Sequence, residues 1–309
     1  MGGIEIIGLG MACLDILIRG QHLPTWQHGV RLDAIAVEGG GPVATALAAA
    51  QRLGVKTGFI GTCGNDRLGA IKLQTLADFG VDTSMVLHRD NPENQVVLVA
   101  VQSITGERIF SGSHVESEPL SISELDKDYV LQAKFLHLDG YHAAAANQAA
   151  MWMKDAGKQV MLDGSATAGP ISDDMKSLVR LSDYVICGKG FGLALTGEHD
   201  LFKAGKVIMK MGPGVVVQTE GRDGSYTVTA DGSFHTPAFD VPVVDTTGAG
   251  DVYHGAFLVG LLLGWKLPGV VLFSTAVSAI KCMQISGRRG IPTFEQTMQF
   301  LKDRGIVLD

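Results

Sequence analysis

The chain has 309 residues, 46% of them apolar, enough for one large domain with a buried core. Formal net charge is -7 and no Lys/Arg block stands out, so a nucleic-acid partner is disfavoured while a local nucleotide site is not. Four cysteines, Cys13, Cys63, Cys187 and Cys282, form no Cys-x-x-Cys pair, which argues against a disulfide frame or a zinc site. The longest apolar run, near 256–263, is too short to span a membrane. The apolar start at 3–9 has no basic region before it and no cleavage pattern after it, so it reads as a first strand, and the expectation is a cytoplasmic protein.

Residues 4–10 predict a short strand, and 13–18 a second extended piece in which Asp15 is the lone acid. Asp15 is either a turn residue or a carboxylate that accepts hydrogen bonds from a ligand. Residues 32–38 alternate as a strand. Gly39-Gly40-Gly41-Pro42 then opens an alanine-rich helix that closes at Gly54, and its small residues predict close packing. Gly40 and Gly41 would also let a small polar ligand reach backbone N–H groups. Residues 55–60 predict a strand, 61–66 a turn and 67–79 a helix, with Asn65 and Asp66 as turn and cap residues. The β-forming stretch 96–103, the turn at 104–107 and the return at 108–110 predict a hairpin, able to join 16–38 in a small separate sheet.

From Lys134 onward strand and helix patterns alternate, which predicts a largely parallel sheet with helices on both faces. Asp139, Asp163, Gly188, Thr219 and Gly221 then fall at carboxyl ends of strands, where ligands collect in such sheets. Asp231-Gly232 marks a hairpin. Residues 243–255 follow: an apolar approach, Asp245-Thr246-Thr247-Gly248-Ala249-Gly250-Asp251, then a long apolar run. The pattern predicts strand, glycine turn and helix N-terminus, an anion site built from unpaired N–H groups. Asp251 is either a first-turn helix residue or the acceptor of a proton from the group to be phosphorylated. No Gly-Lys-Ser/Thr follows, so the turn is not a Walker A loop, and Gly8-x-Gly10 lacks the rest of a dinucleotide fingerprint. Residues 268–283 predict a second long apolar helix, and Thr293 with Gln296 form a capping box for the last one.

The seven residues 245–251 resemble the signature of the ribokinase-like (PfkB-type) carbohydrate kinases, and the resemblance covers essentially the whole chain. It implies a ribokinase-like three-layer α/β/α fold with a mostly parallel central sheet. Residues 1–309 would be a single domain, with a small β lid made by two insertions at about 16–38 and 94–112. It implies ATP-dependent phosphorylation of a sugar hydroxyl, with Asp251 as general base and Gly248, Ala249 and Gly250 in the anion hole. Asp15, Gly40 and Gly41 would orient the sugar, together with Thr45, where the family usually carries Asn. Tyr141 is a further pocket candidate. Thr219, Gly221 and Gly224 would lie near the nucleotide phosphates, and Gly287 near adenine and ribose.

One family motif is missing. The Asn-x-x-Glu that organises magnesium is replaced around Gly188 and Lys189. No metal ligand is assigned: Mg²⁺ could rely on ATP phosphates, water and other acids such as Asp245, and Lys189 could touch phosphate. Lids of this family often pair, which implies a possible homodimer. Residues 39–42, 162–164, 237–255 and 281–292 look like the sulfofructose kinase and ketohexokinase-like branch. Tyr141 and His142 stand where that branch carries an arginine, however, and Gly112 replaces its pocket asparagine, so an unmodified or differently substituted sugar is preferred. Sulfofructose kinase, nucleoside kinase and a non-catalytic sugar- or nucleotide-binding member are the alternatives.

Overall fold

Every residue of β1 (Ile6–Leu9) is buried, and β1 has parallel neighbours on both sides, β4 (Thr57–Gly64) and β8 (Phe135–Leu138). A strand covered on both faces has to be apolar throughout rather than alternating. In this computed structural model, which describes residues 3–112, 118–167 and 169–308, the sheet grows outward from β1 in both directions. One side adds β4 and β5 (Asp82–Arg89). The other adds β8, β9 (Gln159–Asp163), β10 (Tyr184–Cys187) and β11 (Val215–Thr219), all parallel. The antiparallel strands β12 (Ser225–Thr229) and β13 (Gly232–Thr236) finish that edge. The order reverses at β1, and a crevice opens at the carboxyl ends of strands at such a switch point.

Helices cover both faces. One layer contains α1 (Pro42–Arg52), α2 (Arg67–Ala77), α8 (Ala249–Leu262), α9 (Leu267–Cys282) and α10 (Phe294–Lys302). The other contains α3 (Lys127–Gln132), α4 (Ala143–Asp155), α5 (Asp173–Leu181), α6 (Phe191–Thr196) and α7 (Leu201–Met209). The three-layer α/β/α fold is thus present. The alanines of α1 have a structural purpose: α8 comes so close that a Cβ on Gly255 would stand 2.2 Å from the Ala46 carbonyl oxygen. This contact fixes the start of α8 relative to the start of α1.

The turn expected at 61–66 begins later. β4 continues through Gly64, because Gly61, Thr62, Cys63 and Gly64 pair with Val86, Leu87, His88 and Arg89. Its last glycine serves a close approach, since a Cβ on Gly64 would lie 2.2 Å from the Glu93 nitrogen.

A second sheet has the order β3-β2-β6-β7, from β2 (Cys13–Gly20), β3 (Ala34–Gly40), β6 (Val96–Gln102) and β7 (Arg108–Gly112). Its inner face buries Leu17, Ala36, Val99 and Val101, with Val97 and Ile285 packed against them. Its outer face carries Ile35 (70% exposed), Val37 (51%), Leu98 (40%) and Ile109 (55%). No helix among the described residues is long and apolar enough to cross a membrane.

Candidate active site

A cleft of about 1010 Å³ runs between the carboxyl ends of the main sheet and the inner face of the second one. Its lining comes from stretches far apart in the chain and includes the start of α8.

Gly248 caps α8 with φ 72°, a left-handed conformation that glycine adopts without strain. A Cβ on it would stand 2.9 Å from the Cα of Gly287, so the turn and the loop after α9 lie backbone to backbone. The N–H of Ala249 turns back to the Thr246 carbonyl at 3.2 Å. The donors left to point out of the helix are those of Gly250 and Asp251, so the expected use of Ala249 is not realised in this geometry. No protein atom lies within 4 Å of where a Cβ on Gly250 would stand, which leaves room for an anion beside those donors.

Asp251 follows in the first turn, half-buried and lining the cleft. Burial pushes its carboxyl up to about 8, with Asp163 and Asp15 adding to the rise and Arg288 and Arg108 opposing it. Its carboxylate makes no hydrogen bond to a described residue. It is not occupied in capping its own helix and is free to meet a ligand.

Asp245 is fully buried and braces the turn. Its Oδ1 accepts from the Thr247 N–H at 2.8 Å and its Oδ2 from the Ser286 N–H at 2.8 Å. The buried ammonium of Lys281 donates to the Asp245 carbonyl at 2.9 Å. Burial lowers the Lys281 pKa, opposed by the charge of Asp245. From the second sheet Arg108 reaches across and donates to the Thr246 hydroxyl.

At one end of the cleft Asp15, the third residue of β2, is buried against the glycine turn. A Cβ on Gly40 would fall 2.3 Å from Asp15 Oδ2, so only glycine fits there. The Cys13 thiol donates to Asp15 Oδ1 at 3.3 Å. Burial raises the Asp15 pKa, and the Cys13 hydrogen bond and Arg288 oppose the rise. Gly41 caps α1 at φ 94°, where a Cβ would meet the Met11 carbonyl oxygen at 2.5 Å. Thr45 comes one turn later and lines the same end.

At the other end stand Thr219, Gly221, Gly224, Lys189 and Gly287, all lining the cleft. The Thr219 hydroxyl donates to the Cys187 carbonyl at 3.3 Å, which ties β11 to β10. Gly221 and Gly224 have φ of 60° and 83°, and a Cβ on Gly224 would clash with the Thr236 carbonyl at 2.1 Å. Lys189 is exposed.

Tyr141 is the exception among the expected site residues. It does not line the cleft; its hydroxyl accepts from Gln95 Nε2 at 2.5 Å, and its ring packs 4.5 Å from that of His142. His142 is itself committed, accepting from the Leu120 N–H at 3.0 Å. Asp139 is buried and accepts from the N–H groups of Met11 and Tyr141 at 2.8 and 2.9 Å, holding the loop after β1.

Sequence reasoning missed four groups. Arg288 is 2% exposed and lies behind Thr45 and Gly40. Lys281 and Arg108 were not singled out. His254, one turn after Asp251, faces Asp163 with its Nδ1 3.6 Å from Oδ2. Burial lowers His254 to about 3, so the imidazole is neutral, and burial raises Asp163. The available signal was a charged or imidazole side chain inside an otherwise apolar helix, as at Lys281 and His254.

Among the described residues no three His, Cys, Asp or Glu side chains are grouped to hold a metal ion.

The pattern that describes the pfkB family carbohydrate kinases matches residues 11–293, and the chain belongs to that family. It is therefore a carbohydrate kinase by class. It is 27% identical over 320 residues to the 5-dehydro-2-deoxygluconokinase of Geobacillus thermodenitrificans, covering 97% of this chain and 93% of that one. It is 28% identical over 267 residues to the 2-dehydro-3-deoxygluconokinase of Bacillus subtilis, covering 81% and 82%. The structure of Arabidopsis thaliana ribokinase complexed with ribose and ATP superposes with a TM-score of 0.81 at 24% identity, covering 98% of this chain and 99% of that one.

Proposed function

We propose that this chain transfers the γ-phosphoryl group of ATP to a hydroxyl of a small sugar or sugar acid, with Asp251 as general base. The observation that carries this reading is the pairing of an uncommitted carboxylate with two outward N–H groups at one helix start. Asp251 takes the proton of the attacking hydroxyl as the new O–P bond forms and the bond to the ADP oxygen breaks. The Gly250 and Asp251 N–H groups, with the positive end of α8, stabilise charge on the moving phosphoryl. Asp15 and the 40–41 turn orient the sugar so that one hydroxyl faces Asp251.

The nucleotide lies along Thr219, Gly221, Gly224 and Gly287, and Lys189 contacts its phosphates. Magnesium, when bound with ATP, supplies charge neutralisation of the phosphate oxygens and is held mainly by them and by water. The absence of a carboxylate cluster among the described residues and the side-chain-free Gly188 favour that arrangement over a protein-built metal cage. Both relatives reported above are named for dehydro-deoxy sugar acids, which favours an acid of that kind over sulfofructose or a nucleoside. The second sheet acts as a lid, and its apolar outer face pairs with the same face of a second copy.

The test is ATP consumption with Mg²⁺ across ketoses, aldoses, sugar acids, sulfofructose and nucleosides, beside Asp251→Asn. A substrate-dependent signal that the variant loses supports the reading. Silence across the panel with ATP still bound would instead support a non-catalytic binding protein.

A further inference from the structure

Arg288 has no contact with the cleft, yet its guanidinium is fixed at every nitrogen. Nε donates to the Thr45 hydroxyl at 3.1 Å, Nη1 to the Thr75 hydroxyl at 3.1 Å, and Nη2 to the Gly40 carbonyl at 2.7 Å. Gly39 makes the passage: a Cβ there would stand 2.1 Å from Nη1. The arginine thus ties α1, α2 and the end of β3 together from behind, while Thr45 forms part of the cleft wall in front of it.

This has a consequence for what Thr45 can offer. A hydroxyl has one proton and accepts through its lone pairs. The Thr45 oxygen already accepts from Arg288. In helices, threonine and serine often return their proton to the carbonyl four residues back. Ser274 and Thr275 do so here, each at 2.8 Å. Thr45 does not, and among the described residues its proton has no acceptor. The proton is left for a ligand, and the guanidinium behind it favours a partner bearing negative charge. Asp15 is the opposite kind of group, with Oδ1 taken by Cys13 and Oδ2 left to accept.

We propose that Arg288 and Thr45 form a specificity pair that makes one corner of the sugar pocket a hydrogen-bond donor, selecting sugars that place an oxo or carboxylate oxygen there. This rests on the sugar-kinase reading of the cleft. Arg288 is a positioning residue and Thr45 the group that touches substrate. A sugar hydroxyl in the same corner can still accept, but an oxo or carboxylate oxygen carries more negative charge and accepts more strongly beside the guanidinium. A site of this kind discriminates by roughly ten- to a hundredfold.

The experiment uses 2-dehydro-3-deoxygluconate and 5-dehydro-2-deoxygluconate, each beside its borohydride-reduced hydroxy counterpart. Binding is read by calorimetry in the Asp251→Asn protein, and kcat/KM in the wild type. At least one oxo acid is expected to bind about tenfold or more tightly than its reduced partner. Thr45→Val, of equal volume, should raise KM for that oxo acid by a similar factor with little change in kcat, and raise that of the reduced partner clearly less, so that the preference is lost. Thr45→Ser should restore the preference. Arg288→Met should erase the preference while the KM for ATP stays near the wild-type value. The Thr45 variants alone decide the matter if Arg288→Met does not fold. Failure of both oxo acids to bind, or a preference that survives in Thr45→Val, overturns the pair. Binding with the expected preference but no phosphoryl transfer by the wild type overturns the kinase reading instead and leaves the pair standing.

Discussion

Asp245 and Ser286 are 41 positions apart, yet one carboxylate oxygen of the first accepts the backbone N–H of the second at 2.8 Å. The other oxygen accepts from Thr247. A single buried side chain therefore holds the turn before α8 and the loop after α9 in register. Asp245→Asn keeps one acceptor and presents an amide N–H to the other donor. We expect a loss of about 1–3 kcal/mol in urea unfolding, together with a lower kcat and a higher KM for ATP.

Asp251→Asn should lower kcat by about 10²–10⁴-fold, the usual worth of a general base, and leave ATP affinity largely intact. Stopped turnover with calorimetric ATP binding is the measurement. Near-normal turnover would remove Asp251 from the role of base.

The elevated pKa of Asp251, about 8, gives two pH signatures of defined sign. As a base it must be ionised, so kcat/KM for the sugar should rise from pH 6, reach half its maximum near pH 8 and level off about a pH unit higher. Arg108 opposes the rise in pKa, so Arg108→Met should move that limb to higher pH. For stability the folded pKa lies above the unfolded value, so the folded state binds the extra proton. Its contribution is present at low pH and is lost as pH rises through about 8. Asp251→Asn should therefore melt at a higher temperature than the wild type at pH 8, with the gap closing toward pH 4.

Lys72 and Glu93 form an ion pair at 2.5 Å with both side chains 1% exposed. Glu93 also accepts from the N–H groups of Gly64 and Gln95. Lys72→Met leaves a buried carboxylate without its cation, and we expect a loss of about 3–5 kcal/mol in equilibrium unfolding. Lys72→Met combined with Glu93→Gln should recover part of that loss. Equal stability of single and double variants would show that the charge of Glu93 is not the cause.

If the outer face of the second sheet pairs with a copy of itself, Ile35→Asp with Ile109→Asp should turn a dimer into a monomer in sedimentation velocity. A wild type that sediments as a monomer at micromolar concentration would remove the pairing.

The layered fold was legible because its strands are buried on both faces and read as short apolar runs, as at Ile6-Ile7-Gly8-Leu9. The anion turn was legible because positive φ at Gly248 and a helix start leave a local signature. The glycines of β4 misled, since Gly61 and Gly64 mark close approaches inside a strand and look the same in sequence as a turn. Arg288 was missed and Tyr141 was expected in the pocket for a shared reason: their environments come from residues far away in the chain. Nothing near Arg288 announces that Gly39 lacks a side chain where its guanidinium must pass. Nothing near Tyr141 announces that Gln95 engages its hydroxyl.

The Arg288 hydrogen bond to Thr45 spans 243 positions. One wall of the cleft, at Thr45 on α1, is thus backed by a side chain from the loop after α9. Without α8 and the loop after α9 the first strands and α1 would lack the cation behind Thr45, the brace from Ser286 and the helix start itself. Loss of that loop should therefore leave both the wall of the cleft at Thr45 and the turn before α8 without their braces, however well the first strands and α1 pack.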